Sequence, residues 1–192
     1  METAAAHHAP LRGQLWVFGY GSLMWRPGFA YEEAVRARII GAQRRLCVYS
    51  VVHRGTARRP GLVLGLEPGG ACDGMAFRVA PDRAREVRAY LRAREQVTMV
   101  YREAAGILEL DTEGAQRVRA LCYMVDTAHP QYAGDLPLEN QVHLVRRSHG
   151  RAGPNIDYVA NTVRHLREAG IHDAPLERLV ARLGLQRRLA LD

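Results

Sequence analysis

The 192-residue sequence predicts a single α+β domain, and three observations carry that expectation. Hydrophobic residues make up 47% of the chain, enough to close one sizeable core. Short runs rich in Val, Ile, Leu, Tyr and Cys, many bordered by Gly, Pro or Asp, dominate the first part of the chain. Helical patterns with good stop and start signals crowd the end. Strands followed by helices suit one sheet closed or curled on itself, with helices packed against its outside. No repeat, low-complexity linker or shift in composition marks a boundary, so residues 13–186 are expected to form one domain between loose tails at 1–12 and 187–192.

The first strand is expected at residues 15–18, a short apolar run that stops at Gly19. Further strands are expected at 39–52, 62–66, 74–79, 100–110 and 118–125. Between two of them, Pro81 and Asp82 open a helix over 83–94, with proline fixing the start and an acid in the first turn. A short helix follows at 138–145. The pattern over 156–169 begins after Pro154 and Asn155 and ends before Gly170, and a last helix spans about 176–183 after Asp173 and Pro175.

Composition excludes several classes. All 27 basic residues are arginine, which removes lysine Schiff-base chemistry and a P-loop lysine together. Cys47, Cys72 and Cys122 are odd in number, far apart and set among apolar neighbours, as buried reduced thiols rather than a disulfide framework or a zinc site. The histidines lack metal-ligand spacing, so no metal is expected. Net charge is +7, but the arginines come in ones and twos without aromatic interleaving, which favours a solvated basic surface over a nucleic-acid groove. No stretch approaches the ~20 apolar residues that cross a bilayer, and residues 1–10 lack the features of a signal peptide. A cytoplasmic location without membrane association is expected.

Chemistry concentrates at two places. Phe18-Gly19-Tyr20-Gly21-Ser22-Leu23 follows the first strand directly, and its glycines permit close backbone approach to a ligand whose carboxylate free N–H groups would grip. The same residues also suit a tight aromatic turn. They are neither a dinucleotide fingerprint nor the Gly-x-Ser-x-Gly elbow. The second place is Glu95, which continues the apolar stripe Ala84, Val87, Leu91 of the 83–94 helix, whereas Arg83, Arg85, Glu86, Arg88, Arg92 and most of Arg94 fall on solvated faces. Desolvation and the helix C-terminus would raise its pKa and tune a general base. A nearby arginine would do the opposite, and the pattern leaves both open. Tyr158, early in its helix, suits either packing or a hydroxyl reaching a polar pocket.

These residues resemble a known family. Val17-Phe18-Gly19-Tyr20-Gly21-Ser22-Leu23-Met24-Trp25 is similar to the opening motif of the ChaC-type, glutathione-specific γ-glutamylcyclotransferases. His53-Arg54-Gly55-Thr56 with Pro60-Gly61, Gly74 to Val79, Leu91 to Glu95, Val125 to Tyr132 and Gly153 to Tyr158 follow in matching order. The resemblance implies a small mixed β-barrel flanked by helices. It implies a lyase that uses no cofactor and cyclises the γ-glutamyl group of glutathione, releasing 5-oxoproline and L-cysteinylglycine. Glu95 would be the catalytic acid-base residue, Phe18 to Leu23 would cradle the γ-glutamyl group, and Tyr158 would help close the pocket. Met99 departs from the pattern, since relatives often carry glycine there. Other γ-glutamyl peptides or amines are an alternative substrate class, and a non-catalytic regulator linked to cation transport is an alternative role.

Overall fold

The computed structural model describes residues 14–189. Five strands, β1 (Leu15–Gly19), β2 (Glu33–Ser50), β3 (Gly61–Val79), β4 (Tyr101–Leu110) and β5 (Arg117–Val125), close into a barrel in the order β1-β3-β2-β4-β5. The barrel is mixed, as expected. β1 runs parallel to β5 through Trp16↔Ala120 and Val17↔Leu121, whereas the other pairs are antiparallel. Sitting between two neighbours explains why all five residues of β1 are buried.

One long strand stands where the sequence suggested two, at 62–66 and 74–79. Glu67-Pro68-Gly69-Gly70 reads as a break, yet β3 stays paired with β2 on both sides of it, through Ala42↔Pro68 and Ile40↔Ala71. The register shift between Ile40 and Ala42, with Gly41, Gly69 and Gly70 all at positive φ, absorbs the proline in a bulge instead of a turn. β2 likewise starts at Glu33 rather than residue 39, because residues 33–38 pair with the far end of β3 although Arg36 and Arg38 there are exposed and charged.

Helices α1 (Ala84–Glu95), α2 (Leu138–Arg147), α3 (Asn155–Glu168) and α4 (Ala174–Leu183) lie within a few residues of their expected bounds. Val87 and Leu91 of α1 pack on Leu15 and Val17, one face of β1. Trp16 and Phe18, the other face, join the large cluster that contains the apolar sides of α2, α3 and α4. Asp173 caps α4 by accepting from the Leu176 N–H at 3.1 Å, and Gly184 ends it at φ 74°. A short helix, α5 (Gln186–Leu189), follows, and Leu189 packs on the large cluster, so the C-terminal tail expected from residue 187 begins inside a helix. The expected N-terminal tail at 1–12 lies outside the described residues.

The three cysteines are buried and unpaired, with burial pushing Cys47 and Cys122 up to about 12 and Cys72 to about 11. Among the described residues no helix is long and apolar enough to cross a membrane.

Met99, between α1 and β4, is exposed and held at φ 61°, where a side chain costs about 1–2 kcal/mol. Met99→Gly relieves that strain and gives back part of it through unfolded-chain entropy. A thermal melt should show Tm rising by about 2 °C, for a net gain of roughly 0.5–1 kcal/mol; an unchanged or lower Tm would mean that the Met99 side chain contributes contacts worth the strain.

Candidate active site

β1 pairs with β3 only over Met75–Val79, and after Gly19 the chain turns away. The β3 edge at Leu62 and Leu64 is therefore left without a strand neighbour, and side chains fill the gap. Asn155, at the start of α3, accepts from the Leu62 N–H at 2.6 Å and donates to its carbonyl at 2.8 Å. One helical turn on, the Tyr158 hydroxyl accepts from the Leu64 N–H at 3.1 Å, and the Tyr101 hydroxyl, from the start of β4, donates to the Leu64 carbonyl at 2.6 Å. A cavity of about 430 Å³ opens in front of these groups, within the ~300–1,000 Å³ range of small-molecule sites.

The turn after β1 forms one wall. Tyr20, Gly21, Ser22 and Leu23 line the cavity, and Ser22–Met24 is a single 3₁₀ turn closed by the Met24 N–H bonding to the Gly21 carbonyl at 2.9 Å. Arg44 holds this wall from behind. Its side chain is 3% exposed, and it donates to the Tyr20 carbonyl at 2.9 Å and to the Asp73 carbonyl at 2.6 Å, with the Asp173 carboxylate 3.7 Å away. Phe18 and Gly19, expected in the substrate cradle, do not line the cavity, which corrects that part of the sequence reading. Both still belong to β1: Phe18 is fully buried in the core, and Gly19 lies close beneath the turn, where a Cβ would stand 3.1 Å from the Leu23 Cβ.

Glu95 lines the same cavity, on the core side of the last turn of α1 as its stripe requires. Burial pushes its carboxyl above the usual range, opposed by the charge and hydrogen bond of Arg94, whose Nε lies 3.0 Å from Oε1. Both influences left open by the pattern are thus present, and desolvation is the larger. Arg94 itself corrects the helical reading. Far from solvated, it folds inward onto the turn, donating to the Ser22 hydroxyl at 3.0 Å.

Four phenols face the carboxylate. Tyr20, Tyr101, Tyr123 and Tyr158 are raised first by burial, and in part by the Glu95 charge, with Tyr158 pushed up to about 12. They stay neutral near pH 7 and act as hydrogen-bonding groups. The Tyr101 proton is committed to Leu64, so toward the cavity this residue presents lone pairs. Arg54 covers Tyr158 with its guanidinium carbon 5.6 Å from the ring centroid, anchored on the Ala152 and Pro154 carbonyls, and brings positive charge to the rim. His165 stacks on Trp25 at 4.5 Å beside it. Among the described residues no group of three His, Cys, Asp or Glu side chains could share a metal ion.

Sequence reasoning singled out Tyr20, Gly21, Ser22, Leu23, Glu95 and Tyr158, and the fold brings these six to one cavity. It did not single out Arg94, Tyr101 or Tyr123, and it named Arg54 only within a motif, although all four line the cavity. The one available signal was a tyrosine in each of the two strands, at Tyr101 and Tyr123.

A closed, mixed five-stranded barrel flanked by helices is the γ-glutamylcyclotransferase type of fold. A yeast γ-glutamyl cyclotransferase specific to glutathione has it, matching at a TM-score of 0.81 and 24% identity over 89% of this chain and 96% of that one. The family model for ChaC-like proteins matches residues 15–185, and the chain belongs to the ChaC-like family. Among its relatives is the Escherichia coli glutathione-specific γ-glutamylcyclotransferase, 31% identical over 89% of this chain and 73% of that protein. The Schizosaccharomyces pombe protein of the same name is 33% identical over 80% and 85%, and the mouse glutathione-specific γ-glutamylcyclotransferase 1 is 30% identical over 88% and 78%.

Proposed function

We propose that this cavity closes the γ-glutamyl group of glutathione on itself, releasing 5-oxoproline and L-cysteinylglycine. One observation carries the reading: a desolvated carboxylate, Glu95, and the Gly21–Leu23 turn line one cavity. Family membership and the names of the relatives support the same chemistry. A cytoplasmic location, expected from the sequence, is part of this proposal.

The reaction needs an amine, and the γ-glutamyl group supplies an ammonium. Glu95 takes one proton from it, and the freed nitrogen attacks the side-chain carbonyl carbon to close a five-membered ring. Attack is intramolecular, so holding the chain folded back supplies much of the acceleration. N–H groups of the Gly21–Leu23 turn meet the oxyanion, and the amides that open a helical turn have no acceptor within it. A second proton leaves the attacking nitrogen after ring closure. Both end on the departing nitrogen, carried in turn by Glu95, and the C–N bond breaks to give the ammonium of cysteinylglycine. Tyr101 offers its lone pairs to the substrate ammonium, and Arg54 attracts the carboxylates of an anionic tripeptide.

Incubation with reduced glutathione should yield 5-oxoproline and cysteinylglycine in equal amounts. Conversion of γ-glutamyl dipeptides or amines with glutathione left intact would move the substrate within the class, and no 5-oxoproline from any of them would overturn the reading.

A further inference from the structure

We propose that Arg94 is a positioning residue for this reaction: its one guanidinium joins the Glu95 carboxylate, at the end of α1, and the Ser22 hydroxyl, on the turn after β1, into a single hydrogen-bonded unit. The inference rests on the catalytic reading of Glu95.

All three guanidinium nitrogens are engaged. Nε faces Glu95 Oε1 at 3.0 Å, and Nη2 donates to Ser22 Oγ at 3.0 Å. Nη1 donates to the carbonyls of Arg26 at 2.5 Å and Pro27 at 3.1 Å and lies 3.2 Å from the Tyr90 hydroxyl. The three-pronged planar donor thus spans the end of α1 and the segment after β1, which a lysine ammonium would do less well. Arg94 and Glu95 are 23% and 19% exposed, so the pair is only weakly screened by water.

Two consequences follow. Accepting from Nη2 leaves the Ser22 proton to donate into the cavity, so the hydroxyl acts as a donor toward substrate beside the backbone N–H groups. The fixed cation also opposes the desolvation of Glu95 and keeps it available as the ionised base. The other groups facing Glu95 are the phenols of Tyr20 on the turn, Tyr101 on β4, Tyr123 on β5 and Tyr158 on α3, all neutral near pH 7. Arg26, His53, Arg54, Arg164 and His165 line the same cavity, and Arg94 is ion-paired with Glu95.

The test compares wild type with Arg94→Gln and Arg94→Lys. Losing the cation raises the Glu95 pKa, so the acid limb of the kcat/KM profile should move to higher pH, and the Arg94→Gln loss should be about ten-fold greater at pH 6 than at pH 8. Arg94→Lys should recover part of the shift, and Ser22→Ala should cost little further in the Arg94→Gln background. Carbon NMR titration of the Glu95 carboxyl, which needs no substrate, should show the same upward shift. Parallel profiles with one uniform loss, together with an unchanged Glu95 titration, would overturn the proposal. If wild type fails to make 5-oxoproline, the catalytic reading falls, while the NMR arm still decides whether Arg94 controls Glu95.

Discussion

Glu95→Gln is expected to cut kcat/KM on glutathione by about 100- to 10,000-fold, the usual contribution of a general base, with little change in KM. Gln keeps the size and can still accept a hydrogen bond from Arg94, so the ion pair's geometry survives while the proton acceptor is lost. The fold should not suffer. Because burial raises the folded-state pKa of Glu95, its protonated form favours the folded protein; that stabilisation is complete below the unfolded pKa and disappears as pH rises through the folded one. At neutral pH the ionised carboxylate is therefore a net cost, and Glu95→Gln should melt at or above the wild-type temperature. Wild-type activity should run the other way, rising with pH as Glu95 ionises. Near-normal turnover in Glu95→Gln would remove this residue from its role, and a large fall in Tm would mean that the charge is structural.

Glu95 was legible because it lies on a helix whose period sets its direction, as Val87 and Leu91 confirm by their burial. The turn was legible because two glycines at and just after the end of a buried strand mark where the chain leaves the sheet and let its backbone approach a ligand. Its boundary was less so: Phe18 and Gly19 share the motif but still follow strand alternation, so they serve the core. Arg94 was misplaced for the opposite reason. Helical period gives the direction of a Cβ, and a long arginine side chain travels back to whatever acceptors tertiary structure supplies, here carbonyls at Arg26 and Pro27. Tyr101 and Tyr123 lie on β4 and β5, which pair with each other, but the β3 carbonyl that the Tyr101 hydroxyl meets, at Leu64, is 37 residues away, so no local pattern tells which phenol reaches the cavity. The unbroken course of β3 through Pro68 depends on a bulge in β2, which is likewise a property of the pair.

The second large effect is expected at Asn155, which carries no proposed chemistry. Its side chain is 0% exposed and replaces the strand neighbour that β3 lacks at Leu62, with one accepted and one donated hydrogen bond. Asn155→Ala strands a buried N–H and a buried carbonyl, each costing about 1–3 kcal/mol when left unpaired. A total near 3 kcal/mol corresponds to a fall in Tm of about 6–12 °C for a domain of this size. Asp in the same position would keep the acceptor and lose the donor, adding a buried charge, so it should not rescue. The loss should also reach the cavity, because Tyr158 sits one turn along α3 and meets Leu64 through the same unpaired edge. A raised KM alongside the lower Tm would show that the helix is docked by Asn155 and that Tyr158 is placed as a result. If Tm instead stays within about 2 °C, the side-chain ladder is not what holds α3 to the barrel, and the opening of the site at this edge needs another cause.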